Sequence, residues 1–154
     1  MTVILNAKYV HTNLIAQDWK KLADFYTHVF GCKTVPPERD LSGHWLDDAT
    51  NIQNAHIRGT HLQLPGYGSI GPTIEIFQYD VESERPATNV NRLGFARIAF
   101  AVDNVDEAHN AVISAGGRDV GKVVSVEIPG AGRLRLAYVT DPEGNIIELQ
   151  HWLR

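Results

Sequence analysis

His11-Thr12-Asn13-Leu14-Ile15-Ala16-Gln17-Asp18 and Arg97-Ile98-Ala99-Phe100-Ala101-Val102-Asp103-Asn104 state one pattern twice. Each stretch opens as a strand whose side chains alternate between two faces, and each closes on a residue suited to cap a helix. His11 precedes its cap Asp18 by seven residues, and Arg97 precedes Asn104 by seven. After the first cap, Trp19, Leu22, Ala23, Tyr26 and Phe30 fall at helical spacing and Gly31 stops the run. After the second, Val105, Ala108, Val112 and Ala115 form the apolar stripe. Glu107 stands three residues past Asn104, as in a capping box, and Gly116-Gly117 ends the helix. Cap and glycine lie 13 residues apart in the first copy and 12 in the second.

The rest of each copy reads as strands. In the first copy these are 55–64 and 73–79, separated by a turn rich in glycine and proline from Pro65 to Pro72. In the second they are 121–128, 133–139 and 146–152, the last two joined through Asp141-Pro142-Glu143-Gly144-Asn145. The stretch 36–54 shows little periodicity and reads equally as a substrate loop or a mobile surface loop. The polar stretch 81–91 reads as the linker between copies. Two copies are too few for a solenoid and point to a pseudo-symmetric pair. The expectation is an α+β fold in one domain, 1–154, with modules at about 7–80 and 93–152.

Composition narrows the function. The chain has 154 residues, 44% hydrophobic and 21% charged, with a formal charge of −4. That balance is ordinary for a globular protein and gives no support to a nucleic-acid or anionic-membrane partner. Cys32 is the only cysteine, which rules out an intrachain disulfide, and it reads as a small buried hydrophobe. Residues 1–7 lack the basic region and apolar core of a signal peptide, and the longest strong apolar run, 98–102, is too short to span a bilayer. A cytoplasmic location is the resulting expectation.

Alternation divides each sheet into two faces. One face is apolar and holds the helix. The other carries His11, Asn13, His61, Gln63, Glu75, Arg97, Glu148 and Gln150, with Phe77, Ala99 and Trp152 among them. A flat wet sheet would explain the polar residues alone. The mixture of polar and aromatic side chains fits a cavity with convergent polar groups.

The chain resembles the glyoxalase/bleomycin-resistance/dioxygenase proteins, the vicinal oxygen chelate superfamily. The resemblance is carried by His11 to Asp18, Phe25-Tyr26, Val29-Phe30-Gly31, Gly94 to Val105, and Asp141 to Glu148. It implies two paired βαβββ modules that form a barrel-like cleft, and a homodimer, as is common in the family. It also implies four metal-ligand positions, one near the first and one near the last strand of each module. His11, Glu75 and Glu148 match three of these, and Arg97 stands at the fourth, where histidine is usual.

Two versions of the site follow. In the first, a divalent metal (zinc, nickel, manganese or iron) sits on His11, Glu75 and Glu148 as a Lewis acid, and Glu75 or Glu148 moves a proton. Arg97, Asn13, His61 and Gln63 then bind substrate. The expected activity is that of a metal-dependent lyase or isomerase stabilising an enediolate or enolate. Arg97 cannot ligate, because guanidinium stays protonated and offers no acceptor, so His61 is a substitute ligand or a hydrogen-bonded strand histidine. In the second version, Arg97 pairs with a glutamate and the cleft binds or sequesters a small antibiotic-like molecule without metal. Arg97 could also receive a carboxylate or phosphate in a forked contact. A ring-cleaving dioxygenase fits less well, because its second histidine would be expected at Arg97.

Overall fold

The computed structural model describes residues 5–153, so part of the amino-terminal segment 1–7 lies outside the described residues. Contacts divide the chain into two compact units, Met1–Ser83 and Glu84–Arg154. Unit 1 runs β1 (His11–Ile15), α1 (Trp19–Phe30), β2 (Lys33–Ser42), α2 (His44–Thr50), β3 (His56–Gln63) and β4 (Thr73–Tyr79). Unit 2 runs β5 (Arg97–Ala101), α3 (Val105–Ser114), β6 (Arg118–Asp119), β7 (Val124–Ile128), β8 (Gly132–Thr140) and β9 (Ile146–Leu153). The fold is mixed α+β with two sheets and few helices.

The sheets share one plan. Sheet 1 has the order β1-β4-β3-β2, and sheet 2 the order β5-β9-β8-β6, with β7 also on β8. In each, the first strand lies parallel to the last, and the last is antiparallel to its hairpin partner. The crossover helix starts where the sequence sets its cap. Asp18 accepts from Lys21 N at 3.1 Å, and Asn104 accepts from Glu107 N at 3.1 Å. Replacing such a cap by Ala typically costs about 1 kcal/mol. Gly31 closes α1 with φ 72°, a left-handed backbone that side chains with a Cβ rarely adopt.

Each helix covers the apolar face of its own sheet. Leu22 and Tyr26 of α1 are fully buried in unit 1, as are Leu62, Ile74 and Ile76 of β3 and β4. Val105 and Val112 of α3 are buried in unit 2 with Ala137, Val139, Ile147 and Leu149. Full burial of one such aliphatic side chain is worth about 1.5–3 kcal/mol, so these positions dominate the stability of each unit. Gly117 is required for the close approach of α3, because a Cβ there would lie 2.3 Å from the Thr140 carbonyl oxygen and 2.4 Å from Val112 Cγ1. Cys32 is buried and free, and burial pushes its thiol up to about 11, so it stays an inert hydrophobe.

The stretch read as an irregular loop is structured. It forms the edge strand β2, whose register shifts between Val35 and Arg39, and the short helix α2. Its lack of periodicity has a physical cause. Pro36 and Pro37 offer no N–H to the ladder, β2 is exposed along most of its length, and α2 buries Leu46 alone. Leu46 packs with Ala55 and Ile57, and Leu41, Phe77 and Tyr79 lie against them. The Asp47 carboxylate ties α2 to the start of β3 by accepting from Asn54 N and Ala55 N at 2.9 and 2.8 Å. In unit 2 the strand expected over 121–128 forms as β7, and a separate two-residue strand before it, β6, also pairs with β8. Among the described residues no helix is long and apolar enough to cross a membrane.

Candidate metal centre

The centre in unit 1 is set by register. On the face away from α1, Asn13 lies opposite Glu75 across β1–β4, and His61 lies opposite Glu75 across β3–β4. His11 is two residues before Asn13 and so shares its face. These pairings aim three polar side chains at one glutamate. Asn13 Nδ2 donates to Glu75 Oε1 at 2.8 Å, His11 Nε2 lies 3.5 Å from the same oxygen, and His61 Nε2 lies 2.6 Å from Glu75 Oε2. The two imidazoles meet edge to face with centroids 5.4 Å apart. The Glu75 side chain is only 13% exposed, so these neighbours, rather than water, satisfy its oxygens.

His61 is shaped for ligation. Burial is the main influence on its pKa and holds it below the ordinary histidine range, although Glu75 pulls the other way. The ring is therefore kept neutral, the form with a free lone pair. Its Nδ1 lies 3.3 Å from Thr73 Oγ1, a contact that directs Nε2 toward Glu75. Phe77 flanks the ring, with centroids 6.2 Å apart. That placement needs Gly59 opposite it, since a Cβ there would lie 2.0 Å from the Ile76 carbonyl oxygen and 2.7 Å from Phe77 Cδ1.

His11, His61 and Glu75 each offer one ligand atom, and these atoms all lie within 4.8 Å of one another. Nitrogen and oxygen donors around a tetrahedral metal with bonds of 2.0–2.2 Å stand about 3.4 Å apart. The three residues fit a borderline divalent ion after small side-chain movements. Of the sequence-based ligand set, His11 and Glu75 meet here, and the third donor in the cluster is His61. Gln63 lies one step further along β3 on the same face. Its Nε2 is buried without a hydrogen-bond partner, beside a cleft of about 470 Å³ that Lys33, Leu64, Pro65 and Ser69 also line.

Unit 2 places different chemistry at the same register. Glu148 faces Tyr138 on β8 as Glu75 faces His61, and Arg97 starts β5 as His11 starts β1. Arg97 Nε lies 3.6 Å from Glu148 Oε1, and the guanidinium carbon lies 4.7 Å from the centre of the Tyr138 ring. Gln150 Nε2 donates to Glu148 Oε2 at 2.7 Å, and Trp152 Nε1 donates to Gln150 Oε1 at 2.8 Å. Tyr138 is raised above its usual value, chiefly by burial; Arg97 opposes the shift and Glu148 adds to it, so the hydroxyl stays protonated and donates to Glu148. The sequence reading placed Glu148, Gln150 and Trp152 on this face but missed Tyr138. The hairpin between β8 and β9 is shorter than that between β3 and β4, so offsets from the glutamate do not transfer between copies.

A family model for the Glyoxalase/Bleomycin resistance protein/Dioxygenase superfamily matches residues 8–149. The chain belongs to that superfamily. A superfamily member from Bacillus cereus, a glyoxalase family protein, has a structure that superposes with a TM-score of 0.80 at 20% identity, covering 99% of this chain and all of that one. A glyoxalase/bleomycin resistance protein/dioxygenase family enzyme from Burkholderia phytofirmans PsJN superposes with a TM-score of 0.60 at 17% identity, covering 96% of this chain and 100% of that one. At such identities the likeness concerns the fold. A protein of Vibrio parahaemolyticus named "Probable lactoylglutathione lyase" is 30% identical over 155 residues, 94% of this chain and 90% of that protein.

Proposed function

We propose that this superfamily member is a glyoxalase-like, metal-dependent lyase or isomerase acting on a small molecule, with its metal held by His11, His61 and Glu75. The observation that carries the reading is the convergence of those three ligand atoms within 4.8 Å. In this proposal His61, rather than Glu148, completes the ligand set. A divalent ion held there would supply Lewis-acid stabilisation of negative charge on substrate oxygens. Three protein ligands would leave positions open for those oxygens.

The chain's own residues do the remaining work. Asn13 fixes Glu75 by donating to Oε1, and Thr73 lies against His61 Nδ1. Phe77 and the α2 cluster around Leu46 and Ile57 keep water from one side of the centre. Glu75 carries the negative charge that offsets a dication. A carboxylate not bonded to the metal would move the proton. The Vibrio relative's name supplies a first substrate to try, S-lactoylglutathione.

A second reading keeps the cleft metal-free and binding only. The Arg97–Glu148 pair favours it, as does the fact that His11, His61 and Asn13 already satisfy Glu75. The ground for setting a dioxygenase aside is weakened, because β3 supplies a second histidine. Purified protein supplemented with zinc, nickel, manganese or iron separates these readings. Bound metal with a raised Tm, and lyase turnover that needs it, supports the proposal. No bound metal and an unchanged Tm would sink it, and metal-dependent oxygen consumption with a catechol would reassign the reaction.

A further inference from the structure

The polar face of sheet 2 has a feature that neither metal ligation nor proton transfer uses. Arg97 has two neighbours there. Its guanidinium carbon lies over the Tyr138 ring, 4.7 Å from the centre, and its Nε forms an ion pair with Glu148 Oε1 at 3.6 Å. Glu148 is itself held by Gln150, which is held by Trp152. The arginine therefore rests on a chain of four side chains. Its side chain is 36% exposed, and among the described residues its terminal nitrogens have no hydrogen-bond partner.

A planar fork lying over an aromatic ring, with its Nε toward a carboxylate and its two terminal nitrogens open, is a receptor for a planar oxyanion. The ring and the carboxylate restrain the side chain in the free protein, which favours binding. Charge selects the guest. Arg97 carries +1 and Glu148 beside it carries −1, so the centre suits a monoanion better than a phosphate dianion. Comparison with sheet 1 strengthens the point, because the positions that hold His11, His61 and Glu75 there hold Arg97, Tyr138 and Glu148 here. The substitution exchanges two lone-pair donors for a cation and an aromatic floor.

We infer that the Arg97–Tyr138–Glu148 centre binds the carboxylate of a small organic acid through Nη1 and Nη2 of Arg97. The inference stands without a metal on sheet 1, so it is tested on metal-stripped protein. Isotope-labelled protein is titrated with acetate, lactate and benzoate, with their amides, and with inorganic phosphate, while the Arg97 side-chain N–H resonance is followed by NMR. The acids should give saturable shifts at about millimolar concentration, as expected for fragments of this size, and the amides none. Arg97→Lys should weaken binding about tenfold, because the fork is lost while the charge is kept, and Arg97→Gln should abolish it. Tyr138→Leu leaves the charge and removes the floor, and should weaken binding several-fold; it keeps the test open if Arg97→Gln fails to fold. Equal shifts with the amides, unchanged binding in Arg97→Lys and Tyr138→Leu, or phosphate binding more tightly than every acid would overturn the inference.

Discussion

The two sheets are alike on the side that folds and different on the side that binds. Ile74 and Ile147 occupy one register position, each opposite the second residue of its first strand, and both are buried under a helix. Glu75 and Glu148 are the next residues, and each is 13% exposed beside a first-strand partner that is 36% exposed. The environments match; the partners do not. Glu75 meets two imidazoles and an amide, whereas Glu148 meets a guanidinium, a phenol and an amide. A duplicated scaffold can thus hold burial and register fixed while the chemistry of a few side chains changes, because sheet alternation separates the two faces.

The largest expected effect lies where the sheets agree. Ile74→Ala and Ile147→Ala should each cost about 2–5 kcal/mol, the usual range for emptying a closed core site, measured as shifts of the urea unfolding midpoint. A negligible cost at either position would break the equivalence of the two cores. The next test exchanges the faces. Arg97→His with Tyr138→His gives sheet 2 the ligand types of sheet 1, and metal analysis should show a second bound ion per chain. Unchanged stoichiometry in a folded variant would mean that register alone does not make the centre.

A smaller effect is expected one step out from the ligands. Asn13→Ala frees Glu75 Oε1 and should lower metal affinity about 10–100-fold, as loss of a supporting hydrogen bond does; sheet 2 has Ala99 at that place. An unchanged affinity by calorimetry would remove Asn13 from the centre.

The smallest effect concerns a cluster with no equivalent described for unit 2. His56 lies 2.5 Å from Asp40 and 2.8 Å from Asp80, with Arg58 also on Asp80. Hydrogen bonds to Asp40 and then Asp80 hold His56 above its ordinary 6.5, and the His56 contact holds Asp80 below its ordinary 3.8. A raised histidine stabilises the fold fully below 6.5, and that gain is lost as pH rises through its folded value. A lowered aspartate stabilises above 3.8 and loses its part as pH falls through its own folded value. The difference in urea midpoint between wild type and His56→Gln should therefore be present near pH 6 and fade as the solution becomes alkaline. A difference that grows with pH would reverse the assignment.

Much of the fold was legible because caps, glycine stops and strand alternation are local signals. Asp18, Asn104 and Gly31 sit where their neighbours predicted, and the polar residues singled out on β1, β3, β4, β5 and β9 fall on one side of each sheet. The edge segments were not legible. In β2 two prolines and an exposed course erase the pattern, and α2 is anchored by Leu46, which no periodicity could single out. The candidate site was legible in part. His11 and Glu75 came from the resemblance, but the place of His61 beside them depends on the pairing of β3 with β4, which a nine-residue turn conceals. Tyr138 was missed because the β8–β9 turn is shorter, so its offset from Glu148 differs from that of His61 from Glu75.

The claim that a metal belongs to sheet 1 alone is tested most directly by calorimetric titration of zinc into wild type, His61→Ala and Glu148→Gln. The expected result is one site per chain in wild type, at least on the order of 100-fold weaker in His61→Ala, more than the loss of a supporting contact costs, and retained in Glu148→Gln. Retention in His61→Ala with loss in Glu148→Gln would contradict it.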